Sequence, residues 1–359
     1  MSSAVTVIAA VRACKQKEEE EMRLRSLGAS VCVAALAMGG AACGSSGSGS
    51  KSSSGSSPAS GSSGSGKTYK VVYIPGLTGN PFYTTVGCGA QSVAASLHVK
   101  FSVQGGSTFA VNAQTPVVEA VTAAHPDGVM ISNDDPKAMI PPLLKAQSAG
   151  IKVVNIDGDL AEKSVGVSNI QSDDISGGKL AGQEMIKLLA GKTGSILIID
   201  NEPGITVSAQ RRQGFIAALK GDPNLKILPV QYSNNSTATA ASLVTSTAQA
   251  HSDFLGVFTV ETTNTEGANT GLIEKHLTGK IKLIGYDTSA PIVQGIKNGT
   301  VTADVVQYPY YEGQQGLRTL VAAIQGKSVP REQTAPFVVA TKANVNTPKV
   351  QQYIYKTSC

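Results

Sequence analysis

From Lys70 onward, short runs of apolar and mostly β-branched residues alternate with longer segments of mixed polarity. The runs at 71–74, 128–131, 153–156, 195–199, 227–230, 256–260 and 282–284 have strand length, and polar residues or glycine bound each of them. Continuous apolar runs bounded in this way predict strands covered on both faces. The segments between them, at 82–97, 140–149, 177–189, 209–219, 238–250 and 265–276, have the length and pattern of helices. Repeated strand–helix units predict parallel sheets. The stretch from residue 69 to 359 exceeds what one open sheet of this kind uses. The expected fold class is therefore α/β, with two doubly wound parallel-sheet lobes.

The chain before Lys70 reads differently. The run Glu18-Glu19-Glu20-Glu21 is followed by Met22-Arg23-Leu24-Arg25, an apolar stretch over 27–38, and the small residues Gly39 to Ala42 before Cys43. A positive start, a short apolar middle and a small-residue exit are the parts of a secretory signal. The apolar stretch is about 12 residues, against the roughly 20 that a membrane span needs. Acidic residues ahead of the positive start predict that translation begins at Met22. Residues 1–42 are then an over-long start plus a signal peptide. Gly40-Ala41-Ala42-Cys43 resembles a lipobox, with Gly40 where Leu is usual, so Cys43 is expected to carry a lipid anchor. The Ser/Gly tract within 43–68 cannot bury apolar surface and predicts a flexible tether reaching roughly 25 Å. Plain secretion, with the tract left as a tail, is the alternative.

Charge narrows the function. The formal net charge is +5 and 15% of residues are charged, which gives no basic field for nucleic acid. His98, His125, His251 and His276 show no metal-ligand spacing, so no metal or cofactor is expected. In a parallel sheet, ligands bind beyond the carboxyl ends of the strands. The positions to inspect are 75–83, 132–135, 157–159, 200–202, 232–235, 261–264 and 287–289. They hold carboxylates, amides and hydroxyls, but no Cys/His nucleophile pair and no phosphate loop. Gly177-Gly178-Lys179-Leu180-Ala181-Gly182 has a different spacing and reads as helix packing. Asp, Asn, Gln and Arg with Phe or Tyr faces suit a neutral polyhydroxyl ligand. The expectation is binding without catalysis. Hydrolysis by Asp157 and Asp287 is the enzymatic alternative.

The run Gly79-Asn80-Pro81-Phe82-Tyr83 resembles the signature that opens the first helix of type I periplasmic sugar-binding proteins of the ribose-binding branch. Five further segments resemble that family in order and spacing. They are Val153-Val154-Asn155-Ile156-Asp157; Asp173 with Gly177-Gly178 and Ala181-Gly182; Gln210-Arg211-Arg212-Gln213-Gly214-Phe215; Leu283-Ile284-Gly285-Tyr286-Asp287; and Val306-Gln307-Tyr308-Pro309. The resemblance covers about 69–340. It implies a first lobe from 69–171 with 308–335, a second from 172–307 with 336–345, and a tail over 346–359. Hinge strands are implied near 170–172, 307–309 and 335–338. It further implies a monomeric extracytoplasmic protein, anchored to the outer face of the membrane. Such a protein captures a monosaccharide or polyol and hands it to the permease subunits of an ABC importer. The same lobes used as a sensor for a signalling receptor are the alternative.

Carried over position by position, Asn80, Phe82, Tyr83 and Asp157 line the first lobe's side of the cleft. Arg211, Asp287 and Gln307 act from the second lobe or the hinge. The pattern departs at Gly158, where the family has Arg, and at Asn235 and Glu261, where it has Phe and Asn. Ser132 and Asp159 are the expected replacements for the lost hydrogen bonds. Asn80 also fits a plain helix start, Asp157 and Asp287 helix caps, and Arg211 a surface ion pair. Cys14 and Cys32 leave with the signal, so Cys88 and Cys359 remain, and two thiols in an oxidising compartment tend to pair. A buried Cys88 with a free Cys359 is the other outcome.

Overall fold

The computed structural model describes residues 67–359. Met22, Cys14, Cys32, Cys43 and the tether through residue 66 lie outside the described residues. The chain begins with β1 (Tyr69–Ile74), α1 (Pro81–Ala94, prolonged by a 3-10 turn over Ala95–Leu97), β2 (Val99–Val103), α2 (Val111–Ala123), β3 (Gly128–Ile131), α3 (Ile140–Ser148), β4 (Lys152–Ile156) and β5 (Ser168–Ser172). A second series comes next: α4 (Asp174–Leu188), β6 (Gly194–Asp200), α5 (Thr206–Leu219), β7 (Leu225–Ile227), β8 (Gln231–Tyr232), α6 (Thr237–Ala250), β9 (Phe254–Thr259), α7 (Thr262–Glu274), β10 (Lys282–Tyr286), α8 (Ala290–Asn298) and β11 (Ala303–Val306). The chain closes with α9 (Pro309–Ile324), β12 (Glu332–Ala335), β13 (Val338–Thr341) and α10 (Pro348–Gln351).

One sheet has the order β12-β5-β4-β3-β1-β2 and is parallel throughout. The other runs β13-β11-β10-β9-β6-β7, with β8 also on β6, and only β13 is antiparallel. The first strand of each lobe thus sits inside its sheet, β1 between β2 and β3, and β6 between β9 on one side and β7 with β8 on the other. The strand order reverses beside β1 and beside β6, which opens a crevice at the carboxyl ends there. The chain passes from the first sheet to the second between Ser172 and Asp174, returns between Val306 and Pro309, and passes again between Ala335 and Val338.

Close helix pairs cover the sheets. A side chain at Gly178 of α4 would collide with the Arg211 carbonyl of α5, and one at Gly214 of α5 with the Ile175 carbonyl of α4. In the first lobe Gly89 of α1 meets the Tyr310 carbonyl of α9, and Gly313 of α9 meets the Val86 carbonyl. The glycine spacing that reads as helix packing is thus at a helix crossing in the structure. After β13 the tail returns to the first lobe. Tyr353 stacks on Tyr308 with centroids 4.2 Å apart, the Lys356 amide donates to Thr85 Oγ1 at 2.6 Å, and Cys359 is disulfide-bonded to Cys88 of α1.

Several expected boundaries change, and the helices expected from 209 and 265 begin at Thr206 and Thr262. The strand expected over 227–230 falls instead in the gap between β7, which ends at Ile227, and β8, which starts at Gln231; Pro229 in that gap has no amide to give a ladder. α4 begins at Asp174 rather than 177, since Asp173 caps it by accepting from the Ser176 amide at 3.0 Å. β2, α2, β5, α8, β11, α9, β12 and β13 are structural elements that the run pattern does not single out.

Candidate functional site

Beyond β1, Asn80 closes the amino end of α1. Its Oδ1 accepts from the Phe82 amide at 2.8 Å, and Pro81 takes the first helical position. This cap fixes Phe82 and Tyr83, whose rings meet edge-on with centroids 5.3 Å apart. Beyond β4, Asn155 Nδ2 donates to the Gly158 carbonyl and to Asn169 Oδ1. The turn it holds puts Asp157 at φ 51°, with the Asp157 amide on the Ile170 carbonyl at 2.9 Å. The Asp157 carboxylate has no protein donor among the described residues and faces the cavity. Burial, together with Asp174 and Asp287, pushes its carboxyl up to about 8 against the pull of Arg211.

The second lobe presents the opposing face. The α4–α5 crossing brings Arg211 against Asp174: Arg211 Nε donates to Asp174 Oδ1 at 2.7 Å, and Nη1 donates to Asp287 Oδ2 at 2.7 Å and to the Val260 carbonyl at 3.0 Å. The guanidinium also lies 4.0 Å from the Tyr286 ring centroid. Arg211 is 3% exposed, so the surface ion-pair alternative fails. Its Nη2 makes no bond to protein among the described residues. Asp287, at φ 65° beyond β10, also accepts from Gln307 Nε2 at 2.8 Å and Tyr355 Oη at 2.5 Å. Glu261 caps α7, accepting from the Thr263 and Asn264 amides at 2.7 Å. Burial raises its carboxyl above the usual range, although these two amide bonds favour the anion.

These groups surround one cavity of about 480 Å³, a size suited to a small ligand. Asn80, Phe82, Tyr83, Asp157, Arg211, Asn235, Glu261, Asp287 and Gln307 all line it. Ser132 does not: it is 1% exposed, with its hydroxyl 2.9 Å from Tyr73 Oη. Asp159 lies in a neighbouring compartment of about 350 Å³. There it accepts from Lys163 Nζ at 2.7 Å and from Asn169 and Gln171 at 3.2 Å. Ser132 is therefore set back from the cavity, while Asp159 lines a compartment that shares Asp157, Tyr83 and Phe109 with it. Phe109, Asn201 and Ser208 also line the cavity. Phe109 escapes the sequence because it comes after β2, a strand whose half-exposed pattern gives no continuous apolar run. Asn201 is among the strand-end positions 200–202, where nothing separates it from its neighbours. Asp174, the partner that aligns Arg211, is next to the recognised Asp173.

The family described as periplasmic binding protein domain matches residues 71–328. The chain is 26% identical over 262 residues to the D-ribose/D-allose-binding protein of Pseudomonas aeruginosa, covering 70% of this chain and 81% of that protein. It is 26% identical over 228 residues to the D-apiose import binding protein of Paraburkholderia graminis, covering 64% and 72%. Among solved structures, an ABC transporter solute-binding protein of Agrobacterium vitis bound with α-D-tagatopyranose has a TM-score of 0.76 and 29% identity, covering 80% of this chain and 100% of that one. A carbohydrate transporter solute-binding protein of Agrobacterium radiobacter in complex with D-arabinose has a TM-score of 0.74 and 28% identity, covering 81% and 100%.

Proposed function

This chain belongs to the periplasmic binding protein domain family, and from that membership we propose that it is an extracytoplasmic solute-binding protein that captures a monosaccharide or polyol for an ABC importer. One observation carries the reading: a single cavity with acceptors and donors from both sheets and a pair of aromatic rings at one wall. Asp157 offers an unoccupied carboxylate from the first lobe. Arg211 offers Nη2 from the second. Phe82 and Tyr83 cover the apolar C–H face of a ring or chain. With Gly158 and Glu261 in place of a cation and an amide, the cavity is richer in acceptors than in donors. A ligand that presents many hydroxyl donors suits that balance.

No bond in the ligand is broken in this reading. The three crossings at 172–174, 306–309 and 335–338 are the hinge, and closure is a shift of population toward the state in which both lobes touch the ligand. The permease subunits receive the closed form. Cys43 anchors the protein as a lipidated residue on the outer face of the membrane, with the Ser/Gly tract as its tether. The function test is a thermal-shift panel of pentoses, hexoses and sugar alcohols. A ligand at 100 times its dissociation constant stabilises the fold by roughly 2.7 kcal/mol. A panel in which no sugar or polyol shifts the transition refutes the assignment.

A further inference from the structure

Tyr355 is outside the cavity lining, yet it touches both halves of the site. Its ring meets Phe82 of the first lobe edge-on, with centroids 5.5 Å apart. Its hydroxyl donates to Asp287 Oδ1 of the second lobe at 2.5 Å. The side chain is 7% exposed. The last four residues of the chain fix it to the first lobe. The Lys356 amide is on Thr85 of α1, the Lys356 ammonium is 4.5 Å from the Tyr310 ring centroid of α9, and Cys359 is bonded to Cys88. Burial, then the charge of Asp287, holds the phenol well above its ordinary range, so it remains a donor at working pH.

We propose that Tyr355 is an interlobe latch, a first-lobe donor on the second lobe's Asp287 that favours closure and sets ligand affinity without touching the ligand. The proposal rests on the two-lobe capture reading. A carboxylate offers about four acceptor positions. Arg211, Gln307 and Tyr355 occupy three of those on Asp287. Arg211 comes from α5 of the second lobe and Gln307 from the hinge. Tyr355 alone among the three is tied to α1. Opening the lobes carries the phenol away from the carboxylate. A bond made only in the closed state raises the closed population before any ligand arrives. Apparent affinity scales with that population, so every ligand gains by the same factor.

Tyr355→Phe tests this, because it keeps the ring on Phe82 and removes only the hydroxyl. Apparent affinity should fall about tenfold for each sugar that binds, with the order of preference unchanged, as expected for loss of a hydrogen bond to a charged group. Small-angle X-ray scattering of the ligand-free variant should give a larger radius of gyration, while its melting transition remains cooperative. The pair Cys88→Ser with Cys359→Ser should shift the scattering in the same direction, and Tyr355→Phe added to it should change little more. Parent-like scattering from ligand-free Tyr355→Phe overturns the latch, whatever ligand the protein takes. A changed order of preference among sugars also overturns it, because Tyr355 then acts as a ligand contact. A scattering shift with no sugar bound by the parent supports the latch and refutes the sugar reading instead.

Discussion

Asp157 and Asp287 are both aspartates beyond parallel strands, but their surroundings divide the work. Asp287 is already bonded to Arg211, Gln307 and Tyr355, whereas the Asp157 carboxyl faces the cavity with no protein donor among the described residues and is the proposed ligand contact. Measured above pH 8, where the Asp157 carboxyl is ionised, Asp157→Asn should weaken binding of the best sugar by about ten- to a few hundred-fold, since charged hydrogen bonds contribute roughly 1.5 to 3 kcal/mol each. Calorimetry decides it, and parent-like affinity would make Asp157 a structural residue. The same group gives a pH dependence. Its carboxyl is raised from 3.8 to about 8 in the fold, so between those values the folded state keeps a proton that the unfolded chain has lost. Stability should fall as pH rises from about 4 to about 8. Asp134, pushed up to about 7 by burial, adds to the slope. Urea denaturation of Asp157→Asn across that window should give a flatter profile than the parent. Asp157, Arg211 and Asp287 are legible because strand ends and local motifs mark them. Ser132 misleads because its partner Tyr73 is 59 positions away and becomes a neighbour only through the pairing of β1 with β3.

The α4–α5 crossing is the element that delivers Arg211 to Asp174. Its closeness depends on glycine on both helices, Gly178 and Gly214, each facing a carbonyl of the other. Alanine at Gly178 gains helix propensity but forces the pair apart, and overpacking of this kind costs about 1–3 kcal/mol. Gly178→Ala should lower thermal stability and also weaken ligand binding, because the guanidinium moves with α5. Gly221→Ala, where the nearest atom to an added Cβ is 3.8 Å away, should change neither. A Gly178→Ala protein with parent stability and affinity would disprove this account of the crossing. The sequence marks the crossing through its spacing of small residues. It hides β2, whose residues alternate in exposure at the sheet edge, and with β2 it hides Phe109, a rim residue 43% exposed.

Across the whole molecule, two sheets of matching strand order are joined by three crossings, and the tail ties back to α1. The lobes are legible from the order of motifs. The tail's return is foreshadowed only by two remaining cysteines, because it depends on packing of Tyr353 and Tyr355 against residues far upstream. The proposed membrane anchor predicts that Cys43→Ala releases the protein into the medium. Fractionation that finds the variant still on membranes would rule out the lipid anchor. Asp157 and Asp287 share a positive φ, 51° and 65°, a region that asparagine, aspartate and glycine enter most readily. The backbone at each lobe's wall therefore restricts which side chains inheritance can place there, yet it leaves open the exchange of aspartate for asparagine. That exchange needs a single base change and turns an acceptor into a mixed donor and acceptor while the strands stay undisturbed. Related lineages can thus drift from one ligand to another a hydroxyl at a time, through sequences that all still fold.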